Sequence, residues 1–140
     1  MKALGSCNCG SEQFEIASSI SDVYVCHCSI CRKSTGSGGI AVTIVSNSDF
    51  SWLEGNEFIK TWQNPDHDWQ TSFCKTCGSV LPGKNDDQAT YIPVSLLNSG
   101  YQQLRVRHHL FVDSKAPWEE IADDAIQHKQ NFKAKESQNT

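Results

Sequence analysis

No stretch of this 140-residue sequence stays apolar for anything near the roughly 20 residues a bilayer-crossing helix needs. A helical membrane span is therefore not expected. The start lacks a secretory signal as well, since Met1-Lys2-Ala3-Leu4 runs straight into Gly5 and Cys7 without an apolar stretch. Positive charge is in deficit: 12 Lys and Arg against 16 Asp and Glu give a net charge of −4, which argues against a protein whose main work is gripping nucleic-acid phosphates. Internal repeats, low-complexity tracts and linkers are also missing, so residues 1–140 read as a single domain with its own core. No long helical period appears in the middle of the chain.

What the sequence has is cysteine. Seven occur, in the groups Cys7-x-Cys9, Cys26-x-Cys28-x2-Cys31 and Cys74-x2-Cys77. In the reducing cytoplasm, where a chain without a signal is expected to reside, thiols are seldom paired, and an odd number cannot all pair internally. Metal binding is the better use for them. Three thiols within residues 26–31 can converge on one ion at Zn–S distances of about 2.3 Å. Three are one short of a closed tetrahedron, and a metal with a free fourth position can do chemistry.

Between the thiols the sequence reads as short strands. Gln13, Phe14, Glu15 and Ile16 alternate like a half-buried strand, Val23 to Val25 lead into Cys26, and residues 40–45 are β-branched. Residues 50–53 and 58–62 about the Gly55-Asn56 turn predict a hairpin. Further strands are expected at 69–73, 90–94 and 104–112. Residues 32–39 read as a polar, glycine-rich loop. Pro117, followed by Glu119 and Glu120, predicts a short helix to about Lys129. The polar residues after about 130 are expected to fray.

Spacing allows two partitions of the thiols. Cys7, Cys9, Cys74 and Cys77 can close one site and leave Cys26, Cys28 and Cys31 as an open one. Equally, Cys28-x2-Cys31 with Cys74-x2-Cys77 makes a zinc-ribbon pattern that leaves Cys7, Cys9 and Cys26 spare.

Four segments in order, residues 5–10 (GSCNCG), 26–33 (CHCSICRK), 73–79 (FCKTCGS) and 109–118 (HLFVDSKAPW), resemble the signatures of the glutathione-dependent formaldehyde-activating enzyme family. The resemblance runs from about Gly5 to Asp124. It implies a mainly β fold of small, coiled antiparallel sheets around zinc, and a carbon–sulfur lyase activity that interconverts S-hydroxymethylglutathione with glutathione and formaldehyde. It also implies two zinc ions, the second of them labile: Cys7, Cys9, Cys74 and Cys77 match structural zinc positions, and Cys26, Cys28 and Cys31 match catalytic ones. Thr71 and Ser72 stand where the family often carries an arginine suited to a carboxylate.

Charge gives the expected chemistry. Three thiolates around a divalent ion leave −1, which disfavours water activation and suits an incoming thiol held as thiolate, its pKa drawn down from about 8.5. Glutathione is the expected thiol partner. His27 lies between two proposed ligands, where it could orient substrate, although alternation turns its side chain away from the metal. His108 and His109 face opposite sides of a strand. Arg32 and Lys33 could attract an anionic substrate, and Trp52, Trp62, Trp69 and Trp118 are expected mostly in the core. Lys115 has no readable role. The competing function is a non-enzymatic zinc-binding interaction module in which a protein ligand such as a histidine closes the central trio.

Overall fold

The structure is a computed structural model that describes residues 2–131. In chain order its elements are β1 (Ala3–Ser6), β2 (Gln13–Ile16), β3 (Asp22–Cys26), α1 (Ser29–Thr35), β4 (Ile40–Ser46) and β5 (Phe50–Glu54). They continue with β6 (Ile59–Gln63), β7 (Gln70–Cys74), β8 (Gly83–Lys84), β9 (Ala89–Pro93), β10 (Leu97–Ser99), β11 (Arg105–Leu110) and β12 (Ile126–Gln127). The protein is mainly β, in small and mostly antiparallel sheets. The chain forms two compact units, one from the residues up to Ser21 with Val42–Leu104, the other from Asp22–Ala41 with the residues from Arg105 onward.

In the first unit alternation decides the core. Phe14 and Ile16 on β2 are fully buried while Gln13 between the turn and Phe14 is exposed, and they pack with Ala3, Ile20, Val45, Ile92 and Leu97. Phe50 and Trp52 meet the Phe14 ring at centroid distances of 5.6 and 5.9 Å. Burying rings of this size is the main local driving force, on the order of 2 kcal/mol for each. The strands run β10-β1-β2-β5 in one antiparallel sheet, β4 pairs with β9 and β9 with β8, and β6 with β7 forms a separate ribbon.

That pairing corrects the expected hairpin. β5 lies against β2 with Trp52 opposite Phe14, and β6 lies against β7 with Lys60 opposite Phe73. Gly55 takes φ +91° where a Cβ would stand 2.1 Å from the Ser11 carbonyl oxygen, so the chain between the strands turns out of register instead of folding back. The aromatic cluster outweighs the local turn signal.

The second unit is built on parallel pairing: β3 lies beside β11, and β12 lies on the other side of β11. Two further expectations are overturned here. Residues 32–39 are not all loop, because α1 covers Ser29–Thr35 and ends at Gly36, whose φ of +64° lets its N–H reach the Arg32 carbonyl at 2.8 Å. Seven residues are too few to print a helical period. The helix expected after Pro117 is absent among the described residues. Ile126 and Gln127 are instead extended, and the chain around them satisfies the β11 end through His128 N–H to His109 O (2.8 Å) and Phe111 N–H to Gln130 O (2.7 Å). An open strand edge outcompetes a weak helix signal. The expected fraying after about 130 falls almost wholly outside the described residues.

Candidate metal centres

In the first unit, Cys7 follows β1, Cys74 ends β7, and each opens a turn with the same chemistry. Cys7-Asn8-Cys9-Gly10-Ser11 and Cys74-Lys75-Thr76-Cys77-Gly78-Ser79 both place a positive-φ glycine after the second thiol, at +80° and +79°. Gly10 N–H then bonds Cys7 O, and Gly78 N–H bonds Cys74 O. The serine that follows sets its hydroxyl 3.2 Å from the second sulfur in each turn. Backbone amides of Glu12, Thr76 and Cys77 point at sulfur at 3.3–3.4 Å.

These turns bring all four sulfurs within 4.8 Å of one another. Cys7 and Cys9 stand 3.6 Å apart and Cys9 and Cys74 3.8 Å. A tetrahedron of sulfurs at 2.3 Å from zinc has edges of about 3.8 Å, so the donor set fits that ion. Charge points the same way. Ser79 pulls the Cys77 thiol down to about 6, and Ser11 lowers Cys9. Burial, with the Glu12 carboxyl as the next cause, pushes Cys74 up to about 12, and burial raises Cys7. Glu12 is fully buried and both its carboxylate oxygens lack a hydrogen-bond partner. Buried Cys7 and Cys74, with Cys9 and Cys77 nearer the surface, thus form a four-sulfur group that could hold a metal ion.

In the second unit the trio is divided between two elements. Cys26 ends β3, Cys28 caps α1 by accepting the Cys31 N–H at 3.4 Å, and Cys31 lies buried inside the first turn of α1. Gly39 lies against the Cys26 carbonyl, where a Cβ would come within 2.7 Å of the oxygen. The three sulfurs are mutually within 4.8 Å. Cys26 and Cys31 both hydrogen-bond to Cys28 and hold its thiol down at about 2, while Cys26 is pushed up to about 11 and Cys31 is raised as well by the same sharing. No fourth His, Cys, Asp or Glu joins the group among the described residues. Each thiol group lies within one unit, in the four-plus-three division.

His27 is buried, and its ring turns to another buried histidine instead of completing the trio. His27 Nε2 lies 2.9 Å from His109 Nδ1, and His109 Nε2 lies 3.0 Å from both oxygens of Asp123. His27 Nδ1 has no partner. Burial first, and His109 second, lower the His27 pKa; the His109 hydrogen bond lowers that of Asp123. His108, on the opposite face, stacks on Tyr24 at 4.8 Å and reaches His128 at 3.0 Å. Lys115 donates to the carbonyl oxygens of Glu119 and Ala116. Of the tryptophans, Trp52 packs on the core and Trp69 stacks on Tyr91, whereas Trp62 and Trp118 are exposed, the latter at 74%. Asp123 and Glu12 escaped sequence reasoning. The repeated Cys-Gly-Ser would have drawn attention to the first turn and so to Glu12, but nothing local marks Asp123.

Comparison with known proteins adds the following. Residues 2–114 match the family described as "Glutathione-dependent formaldehyde-activating enzyme". A Halomonas elongata protein named "Putative glutathione-dependent formaldehyde-activating enzyme" is 31% identical over 125 residues, covering 84% of this chain and 79% of that one. A crystal structure of a Rhodobacter sphaeroides protein superposes with a TM-score of 0.56 at 24% identity, over 71% of this chain and 89% of that one, which speaks to the fold.

Proposed function

Given that the chain belongs to the glutathione-dependent formaldehyde-activating enzyme family, we propose that it is a zinc-dependent carbon–sulfur lyase interconverting S-hydroxymethylglutathione with glutathione and formaldehyde. The observation that carries this reading is the three-sulfur group of Cys26, Cys28 and Cys31, to which no fourth protein ligand is added among the described residues. The group fits a divalent ion, and zinc held there would supply a fourth position for the thiolate of an incoming thiol. The two turns holding Cys7, Cys9, Cys74 and Cys77 would bind a second zinc for structure. Residues 1–140 then act as one catalytic domain, at home in the reducing cytoplasm.

In the cleavage direction the C–S bond of the hydroxymethyl adduct breaks, its electron pair stays on sulfur, and the hydroxyl proton leaves as the carbonyl of formaldehyde forms. The net reaction returns that proton to the thiol. With Cys26, Cys28 and Cys31 as thiolates, a divalent ion held there would leave the site at −1, which would suit a departing thiolate as its fourth ligand better than activation of water. Arg32, at the end of α1, and exposed Lys33 add positive charge to draw in the acidic tripeptide. The alternative, an interaction module whose trio is closed by a histidine, is disfavoured because neither ring nitrogen of any histidine joins the three sulfurs among the described residues.

The test is turnover. Reduced, zinc-loaded protein should form S-hydroxymethylglutathione from glutathione and formaldehyde faster than the spontaneous reaction, followed by exchange NMR, and Cys28→Ser should abolish the excess. A rate equal to the background at all protein concentrations would sink the lyase reading.

A further inference from the structure

The hydrogen-bonded chain Asp123–His109–His27 reaches the backbone between two of the three central thiols. We infer that Asp123 and His109 are positioning residues that clamp the metal-holding turn, with Asp123 setting the orientation of His27 through His109. This rests on the reading of the central trio as a metal site.

Proton bookkeeping sets the direction of the clamp. Asp123 accepts, so His109 Nε2 donates to it at 3.0 Å. In a neutral His109 the other nitrogen, Nδ1, is then an acceptor, and His27 Nε2 donates to it at 2.9 Å. Both rings are buried, at 4% and 5% exposure, so an unmade bond would cost far more than at the surface. Asp123 is itself fixed by the Ala125 N–H at 3.0 Å.

The other attachments of His27 show what its side chain adds. Its N–H bonds the Leu110 carbonyl at 2.9 Å, and its carbonyl accepts from Arg32 Nε at 3.3 Å. These hold the residue at two backbone points, and the ring bond to His109 adds a third, so the residue that joins Cys26 to Cys28 is tied to β11 by its side chain as well as its backbone. No direct contact of Asp123 with sulfur is needed.

The test uses the full-length, zinc-loaded chain. Asp123→Ala should release the central ion to a chelator about 10 to 100 times faster than the wild type, the range for lost support behind metal ligands. The Cys7/Cys9/Cys74/Cys77 ion should stay at its wild-type rate. Asp123→Asn, whose side-chain oxygen can still accept from His109, should restore slow release. With cobalt in place of zinc, Asp123→Ala should also shift the visible absorption of the central site, and Asp123→Asn should return it. Identical release and spectra in all three proteins overturn the clamp. Unfolding of Asp123→Ala, or equal loss of both ions, also overturns it, since Asp123 would then support the fold as a whole. A wild-type chain that binds only one ion overturns the reading of the trio itself.

Discussion

The Cys31 backbone N–H donates to Cys28 Sγ at 3.4 Å, so one proposed ligand caps the helix that presents another. Serine is among the best residues for such a cap. Cys28→Ser should therefore keep its melting temperature within a few degrees and lose turnover and the central ion. Cys74→Ser removes a buried sulfur that accepts the Thr76 and Cys77 amides. A structural zinc site contributes on the order of 10 kcal/mol in small peptides, so this variant should lose its cooperative thermal transition. Equal melting curves for the two variants would contradict the division of labour.

Glu12 beside Cys74 carries an unpaired carboxyl in a place already crowded with thiols. Glu12→Gln replaces the carboxyl with an amide that supplies N–H donors to sulfur. Stability should rise by about 1 kcal/mol. In metal-free protein Cys74 should alkylate faster near neutral pH, because one cause of its raised pKa is gone. Mass-spectrometric alkylation rates check this, and a slower Cys74 would refute it.

Gly39→Ala drives a methyl group to within 2.7 Å of the Cys26 carbonyl. Backbone cannot yield as a side-chain tip can. The expected cost is about 1–3 kcal/mol in chemical denaturation, together with weaker zinc uptake at the central site. Wild-type uptake would show that Cys26 tolerates displacement.

Acid should weaken the fold in a defined window. Burial, then a neighbouring histidine, holds His27 and His108 below the ordinary 6.5. Between those lowered values and 6.5 the unfolded chain binds more protons, so stability rises with pH through the window and is complete above it. Asp123, lowered from 3.8, contributes stability that is present above 3.8 and lost only as pH falls through its folded value. Melting temperature should thus drop from pH 7 to pH 5, and His108→Gln should flatten that drop. An unchanged slope in the variant counts against the assignment.

The strands were legible because they are written in local terms. Phe14 and Ile16 alternate with polar residues, and β2 falls on Gln13–Ile16 as the pattern predicts. Partners were not legible. The hairpin expected about Gly55 failed because Trp52 is claimed by Phe14, 38 positions earlier, a demand visible only once the core exists. The helix expected after Pro117 failed for a similar reason, since a strand edge at β11 takes up the segment around Ile126. The thiol groups could be enumerated from spacing and remained ambiguous between two partitions. The histidines were visible as residues, but their mutual bond spans 82 positions and no periodicity encodes it.

That long reach has a consequence for how the protein is made. During synthesis the Cys26–Cys31 segment leaves the ribosome many seconds before β11 and Asp123 exist, at about 5–20 residues per second. The nascent thiols spend that interval without the strand that flanks them, open to oxidants and stray metals. Cells short of reducing power should consequently damage newly made chains at these three cysteines sooner than finished ones.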